Sequence, residues 1–216
     1  MSLTLPDGVL DTYVGHLLEG EDERCLEMAK DVAPDLSGLH RLYVSLIAPS
    51  QYRVGELWES GEVSVATEHM ATATNAYVAV TTYAPLARSA AGGPRAMMVC
   101  TPDEMHDLGV HLTADLLECD GWDVDFLGAS MPLRDLLGAA QARRPKVIGL
   151  SAALSYHLGS VHQTIQALRA AMGADAPPIV VGGNAFRGDA GLWKAVGADR
   201  WAADGSEAVE VFREFK

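Results

Sequence analysis

The spacing of apolar residues changes once along this 216-residue chain, and that change most limits the folds open to it. Up to about Arg88 the apolar residues recur at every third or fourth position, which is typical of amphipathic helices. After the small-residue connector Ser89–Pro94, short apolar runs alternate with helical patterns. The sequence therefore predicts two domains, a helical one over 1–88 and an α/β one over 95–216.

The first domain is predicted to be a four-helix bundle, because such a bundle buries the apolar stripe of each helix. We expect breaks at Gly20, Pro34, Ser37–Gly38 and Gly61, which leave room for four helices of ordinary length. The fourth helix, near Ser64 to Ala87, starts at a candidate capping serine and is rich in Ala, Thr and Val.

The second domain has the pattern of an α/β fold. Strands that alternate with helices form a parallel sheet covered on both faces, and the nearly continuous apolar strands fit burial on both sides. We expect a flavodoxin-like, doubly wound, five-stranded parallel sheet. The strands are predicted at 95–100, 122–127, 147–151, 179–181 and 200–203, and the helices at 106–119, 133–143, 158–172, 189–196 and 206–215.

Charge and composition exclude several classes of function. The net charge is -13, with 5 basic against 13 acidic residues in 1–88 and 11 against 16 afterwards, so neither half has the clustered Lys and Arg that bind nucleic acid. Apolar runs are too short to span a membrane, and the start lacks a signal peptide, so we expect a soluble, cytoplasmic protein. The odd cysteine count predicts reduced core thiols at Cys25, Cys100 and Cys119.

A polar segment follows the first predicted strand, with the pattern Glu104-x-His106-x-x-Gly109. Ligands of doubly wound sheets bind outside the carboxyl ends of the strands, so this segment is a candidate site. Ser151 ends the third strand, and Gly182–Gly183 follows the fourth. A loop His or a strand-end Gly is common by itself. The loop pattern, the serine and the glycine pair in this chain order are a much more specific signal of a binding site. No glycine-rich phosphate loop and no nucleophile elbow is present.

This set of residues resembles the cobalamin-binding domain family, whose Asp-x-His-x-x-Gly loop supplies the lower axial histidine of cobalt. The resemblance implies that His106 is the cobalt ligand and that Glu104, where the family usually has Asp, holds it. It also implies cofactor contacts from the loop residue Asp107, from Gly109 at the helix start, and from residues that surround the nucleotide tail. Those are Ser151, Leu154, Gly182 and Gly183, although the usual Ser-x-Leu here reads Ser151-Ala-Ala153-Leu154.

The helical half carries a second motif, Trp58 followed by nine residues and then Glu68–His69. It resembles the Trp-x9-Glu-His motif of CarH-type cobalamin photoreceptors, in which the bundle caps the upper face of cobalamin and these three side chains surround an adenosyl group. Glu59 departs from the repressor branch, which has a histidine there that binds cobalt after light. Photocobilins, relatives without a DNA-binding domain, pair cobalamin with a bilin, so biliverdin is a candidate second chromophore.

The resemblance implies an adenosylcobalamin-dependent light sensor rather than an enzyme. Without a DNA-binding domain in this sequence, we expect signalling through conformational or oligomeric change, as a homo-oligomer with a dimer favoured, and through an unidentified partner protein. Two alternatives use the same His106. One is a corrinoid protein that carries methyl groups in a methyltransferase system, and the other is a cobalamin storage or delivery protein.

Overall fold

The computed structural model describes residues 4–84, 92–189 and 191–216. The chain divides into two compact units, Met1–Arg88 and Ser89–Lys216. The predicted end of the fourth helix at 85–87, the start of the connector at 89–91 and position 190 of the helix predicted at 189–196 lie outside the described residues.

The first unit is helical, and its longest helix packs against the others through small side chains. Ala71, Val78 and Ala79 of that helix are buried, and their size lets its backbone approach its neighbours closely. Ser64 caps it as predicted, because its side chain accepts a hydrogen bond from the Thr67 N–H. The elements are α1 (Val9–Glu19), α2 (Asp22–Val32), α3 (Leu36–Arg41), a π-helical segment (Leu42–Ile47), α4 (Ala48–Glu59) and α5 (Val65–Tyr83).

A proline lies inside the continuous helical stretch from α3 to α4. Proline lacks an N–H, and its ring collides with the carbonyl four residues earlier in a regular helix. Immediately before Pro49 the backbone widens into the π-helical segment, where the Ala48 N–H donates to the Tyr43 carbonyl, five residues back. The wider turn gives the ring room, so the stretch continues and buries Leu46 and Ile47.

The predicted break at Ser37–Gly38 is wrong. Asp35 caps α3 by accepting hydrogen bonds from the N–H and the Oγ of Ser37, at 2.9 and 2.6 Å, so both residues lie inside the helix. Glycine is required at position 38 by packing. A Cβ there would lie 2.6 Å from the Cα of Ala33 and 2.8 Å from the carbonyl oxygen of Val32.

The second unit is built on a five-stranded parallel sheet of order β2-β1-β3-β4-β5, which confirms the predicted doubly wound α/β fold. The order reverses between β1 and β3, where Cys100 pairs with Ser151, so the loops after these two strands are neighbours. The strands are β1 (Arg95–Cys100), β2 (Asp123–Gly128), β3 (Val147–Ser151), β4 (Ile179–Gly182) and β5 (Arg200–Trp201).

Helices cover both faces of this sheet. On one face Leu136 and Ile165, from two different helices, join Met97 and Ile148 of the strands in a single buried cluster. On the other face Phe212 packs edge-on against the buried Trp122, with ring centroids 5.7 Å apart. The helices are α6 (Leu108–Cys119), α7 (Leu133–Arg143), α8 (Leu158–Met172), α9 (Leu192–Ala195) and α10 (Gly205–Arg213), with 3-10 turns at Ser155–His157, Gly173–Asp175 and Asn184–Phe186.

Two element boundaries matter for the site. The helix predicted to begin at 106 begins at Leu108, which leaves His106 in the preceding loop. The strand predicted at 200–203 ends at Trp201. Among the described residues, no helix is long and apolar enough to cross a membrane.

The packing at Gly38 yields a prediction for two glycine-to-alanine substitutions. Gly38→Ala should lower the free energy of unfolding by about 1–3 kcal/mol, because the new methyl group meets backbone atoms. Gly15→Ala in α1 should raise it by about 0.5–1 kcal/mol, since nothing lies within 4 Å and alanine favours the helix. Urea denaturation of both variants measures the difference, and equal effects would contradict the contact at Gly38.

Candidate functional site

The site at the carboxyl edge of the sheet begins with a tight turn after β1. The Glu104 N–H donates to the Thr101 carbonyl at 3.1 Å, which closes a turn with Pro102 and Asp103 at its centre. Asp103 has φ 67°, a left-handed conformation that type II turns need at this position and that usually falls to Gly or Asn. This strained backbone conformation at Asp103 positions Glu104 at the end of the turn.

Hydrogen bonds with α8 and with the loop after β2 hold this turn in place. Ser160 on α8 accepts a hydrogen bond from Thr101 Oγ1 at 3.1 Å and donates one to the Pro102 carbonyl at 3.3 Å. The Ser130 N–H, from the loop after β2, donates to the Glu104 carbonyl at 2.8 Å. The turn is thus joined to α8, and the backbone of Glu104 is joined to the loop after β2.

The Glu104 carboxylate is fully buried and binds groups from two loops. Its Oε1 accepts from the backbone N–H of His106 at 3.0 Å and from His106 Nδ1 at 2.5 Å. Its Oε2 accepts from the N–H groups of Ala153 and Leu154 at 2.8 and 3.3 Å and from His157 Nδ1 at 2.8 Å. The first set belongs to the loop after β1 and the second to the loop after β3.

These hydrogen bonds keep Glu104 ionised. Burial by itself would raise the pKa of this carboxyl, but the hydrogen bonds from His106, His157 and Ala153 hold it well below its usual range. An ionised carboxylate can only accept, so Nδ1 of His106 carries a hydrogen, and in the neutral imidazole the lone pair is then on Nε2. The imidazole is therefore fixed in the tautomer that can bind a metal ion through Nε2. The His106 side chain is 60% exposed, whereas Glu104 is buried beneath it.

His157 is a site residue that the sequence interpretation missed. It lies in the 3-10 turn after β3, is buried, and stacks edge-on against the exposed ring of Tyr156. The strand order could have revealed it, because the loop after β3 must lie beside the loop after β1 in a sheet of this topology. A histidine six positions after Ser151 is then within reach of Glu104.

The other predicted residues of this unit lie at the same edge but contribute in different ways. Gly109 lies in the first turn of α6, and a Cβ there would have nothing within 4 Å, so the protein leaves open space beside it. Asp107 occupies the N-cap position of α6 without a side-chain capping bond. Leu154 contributes its N–H to Glu104, and Ser151 ends β3 in register with Gly182.

Gly183 is required by the backbone itself. Its φ is 99°, and a Cβ would lie 2.3 Å from the carbonyl oxygen of Ala152. The close approach joins the loops after β3 and β4, where the Ala152 N–H donates to the Gly182 carbonyl at 3.1 Å. This structural need accounts for glycine at position 183, whereas Gly182 meets only the Ala202 carbonyl oxygen at 3.4 Å.

The helical unit holds the other predicted residues near the α4–α5 turn. Trp58 lies on the last turn of α4 with 47% of its surface exposed, which is unusual for the largest apolar side chain. Glu68 and His69 lie on the first turns of α5, with side chains 18% and 75% exposed, and Glu68 Oε2 is 3.6 Å from His69 Nε2. Glu68 is thus largely covered and His69 is open.

Comparison with family models identifies the chain. A model of the B12 binding domain matches residues 94–213, and a second model with the same description matches residues 9–78. The chain belongs to the B12 binding domain family. Cobalamin is therefore the cofactor that its membership supports.

Curated relatives of this B12 binding domain protein are of two kinds. It is 34% identical over 149 residues to the HTH-type transcriptional repressor CarH of Myxococcus xanthus, which is 68% of this chain and 48% of the repressor. It is 30% identical over 112 residues to dimethylamine corrinoid protein 3 of Methanosarcina mazei, which is 51% of this chain and 65% of that protein. The chain spans about half the length of the repressor.

Solved structures of the family share the fold. The monomethylamine corrinoid protein of Methanosarcina barkeri superposes with a TM-score of 0.81 at 17% identity, over 96% of this chain and 98% of that one. A cobalamin-binding protein of Desulfitobacterium hafniense superposes with a TM-score of 0.54 at 19% identity, over 96% of this chain and 98% of that one. At these identities the likeness concerns the fold alone.

The residues of the α/β unit fit cobalamin. Nε2 of His106 would be a ligand of cobalt, since Glu104 holds the other ring nitrogen, and the open space beside Gly109 would admit the nucleotide tail. The apolar side chains of Met105 and Tyr156 are 67% and 74% exposed on the two loops that Glu104 joins, where a corrin ring could cover them. Cobalamin, when bound, would supply the cobalt chemistry of the site.

The burial of Glu104 yields a prediction for the cofactor-free chain. Glu104→Gln should lower the free energy of unfolding by about 2 kcal/mol or more at neutral pH, because an amide NH2 would face donors that need an acceptor. The folded-state pKa of Glu104 is depressed, so its stabilisation is present at neutral pH and declines as the pH falls below about 4.3, the pKa of an unfolded Glu.

Chemical denaturation at pH 7 and pH 4 measures both effects. The exposed Glu27→Gln serves as the matched control and should change the stability by less than about 0.5 kcal/mol. If Glu104→Gln were as mild as this control, the hydrogen bonds to the carboxylate would not contribute as described.

Proposed function

We propose that this protein is a cobalamin-dependent light sensor that uses adenosylcobalamin. The observation that carries the proposal is the motif Trp58-x9-Glu68-His69, which lies on consecutive helices α4 and α5. It resembles the motif of cobalamin photoreceptors, and the chain is 34% identical to CarH over the matched residues. The glutamate at position 104 supports the same assignment, because the light-sensing relatives carry Glu there.

The side chains of the motif suit a nucleoside. Trp58 presents a half-exposed indole, which can pack against a sugar or a base. Glu68 offers acceptors and His69 can donate or accept, which suits hydroxyl and amine groups. We therefore assign the three residues to the adenosyl upper ligand, and His106 to the lower face of cobalt. With Glu59 after Trp58, the chain has no histidine at the position that binds cobalt after light in the repressor branch.

The signal is proposed to pass through the association state. If the adenosyl group covers Trp58, its loss in the light would return apolar surface of Trp58 to water, which would favour rearrangement or new contacts. We propose a homo-oligomer, with a dimer favoured, and a separate partner protein that receives the signal. We also propose biliverdin as a second chromophore, on the resemblance to the photocobilins, and it would show as a separate absorption band.

A corrinoid methyl carrier is the second candidate function. It is supported by 23% identity to a corrinoid protein of Desulfitobacterium hafniense over 209 residues, which is 94% of this chain and 95% of that protein. Such a carrier uses the lower histidine and needs no adenosyl pocket. The two candidates therefore differ in what light does to the protein, rather than in whether cobalamin binds.

Illumination of the loaded protein tests the proposal. Adenosylcobalamin-loaded protein should change its sedimentation coefficient under green light, and methylcobalamin should give a weaker effect. Trp58→Ala should photolyse with no change in sedimentation, whereas Trp58→Phe, which keeps an aromatic ring, should retain part of the response. Photolysis in the absorption spectrum with unchanged sedimentation of the wild type, in both cobalamin forms, would contradict the sensor and favour the methyl carrier.

A further inference from the structure

A chain of side-chain hydrogen bonds runs through the helical unit and ends at Glu68. Tyr13 Oη donates to Asn75 Oδ1 at 3.0 Å, and Asn75 Nδ2 donates to Gln51 Oε1 at 3.0 Å. Gln51 Nε2 then donates to Glu68 Oε1 at 3.2 Å and to Thr72 Oγ1 at 2.6 Å. The chain therefore links residues of α1, α4 and α5.

The direction of every bond in this chain is determined by its last member. An ionised Glu68 can only accept, so Gln51 must present its NH2 to Glu68 and its carbonyl oxygen to Asn75. Asn75 must in turn present its NH2 to Gln51, which leaves its oxygen for the Tyr13 hydroxyl. In each of the three bonds, the donor lies on the Tyr13 side and the acceptor on the Glu68 side.

The chain of hydrogen bonds starts in the core of the helical unit and ends at its surface. Tyr13 and Asn75 are fully buried, and burial, with a smaller effect of Cys25, raises the pKa of the Tyr13 hydroxyl, which therefore stays protonated as a donor. The Glu68 side chain is 18% exposed and His69 beside it is 75% exposed. A buried network of this kind fixes the rotamers of its members, since a broken bond would leave a polar group without a partner.

The two oxygens of Glu68 have different surroundings. Oε1 accepts from Gln51 and from Thr72 Oγ1, the latter at 2.8 Å. Oε2 lies on the side of His69, 3.6 Å from its Nε2. One oxygen is thus held by donors of α4 and α5, and the other lies beside the exposed side chain of His69.

We propose that Gln51 is a positioning residue that sets the specificity of the protein for a nucleoside upper ligand. By holding Oε1 of Glu68, it directs Oε2 toward the ribose hydroxyls of that ligand, which would donate to it. This inference rests on the proposed function, because it takes Glu68 as the residue that contacts the adenosyl group. Gln51 itself does not touch the ligand.

Binding of two cobalamins in the dark tests this role. Methylcobalamin has a methyl group in place of the adenosyl upper ligand and keeps the same nucleotide tail, so the ratio of its Kd to that of adenosylcobalamin reports the contacts of the upper nucleoside. Gln51→Met, which keeps the volume and removes both polar atoms, should lower this ratio about fivefold or more while the Kd of methylcobalamin changes less than twofold. Glu68→Leu should lower the ratio at least as much, by about tenfold for a hydrogen bond to a charged group.

The matched control is Thr74→Val, which removes another partly buried hydrogen bond of α5, the 2.6 Å bond from Thr74 Oγ1 to Asp22 Oδ1, outside the hydrogen-bonded chain that ends at Glu68. It should lower the thermal unfolding midpoint and leave the ratio unchanged. If Gln51→Met does not fold, Gln51→Asn provides the test, because it is one methylene too short to span Asn75 and Glu68.

The outcomes separate the inference from the function on which it rests. A lower ratio in Glu68→Leu with an unchanged ratio in the Gln51 variants would overturn the positioning role and leave the proposed function intact. A ratio that also falls in Thr74→Val would overturn it too, because the ratio would then follow stability. An unchanged ratio in Glu68→Leu would contradict the proposed contact with the adenosyl group.

Discussion

The α/β unit depends on one buried carboxylate. Glu104 accepts hydrogen bonds from the loops after β1 and β3, and its own carbonyl accepts from the loop after β2. A buried anion is costly unless every oxygen is satisfied, so these loops can adopt only arrangements that bring their donors to it. The same constraint orients the His106 ring through its Nδ1, the arrangement that metal-binding histidines commonly have.

The helical unit uses the same principle on a second glutamate. Donors from α4 and α5 hold one oxygen of Glu68, and the chain behind them extends to Tyr13 on α1. In both units donors of the same unit hold a carboxylate, and an exposed histidine, His106 or His69, lies beside it. Under the proposed function, these hydrogen bonds would pre-organise both sites for the cofactor.

The sequence was sufficient for the fold because its signals were periodic and redundant. Five apolar runs separated by helical patterns allow few alternatives to a doubly wound sheet, and the Glu104-x-His106-x-x-Gly109 spacing marked the site. Prediction from the sequence failed where a structural feature depends on tertiary contacts. Ser37–Gly38 reads as a break, but a cap and a tight packing contact place it in a helix. His157 and Gln51 carry no local signal, because their roles arise only when distant segments meet.

We propose that His106, oriented by Glu104, binds the cobalt of cobalamin. The most direct measurement is the absorption spectrum and the Kd of cobalamin for His106→Ala, with His111→Ala of the same unit as the control. The account predicts that His106→Ala binds cobalamin more weakly or shows the spectrum of the cofactor with its own base on cobalt, while His111→Ala resembles the wild type. An unchanged spectrum and an unchanged Kd in His106→Ala would contradict it.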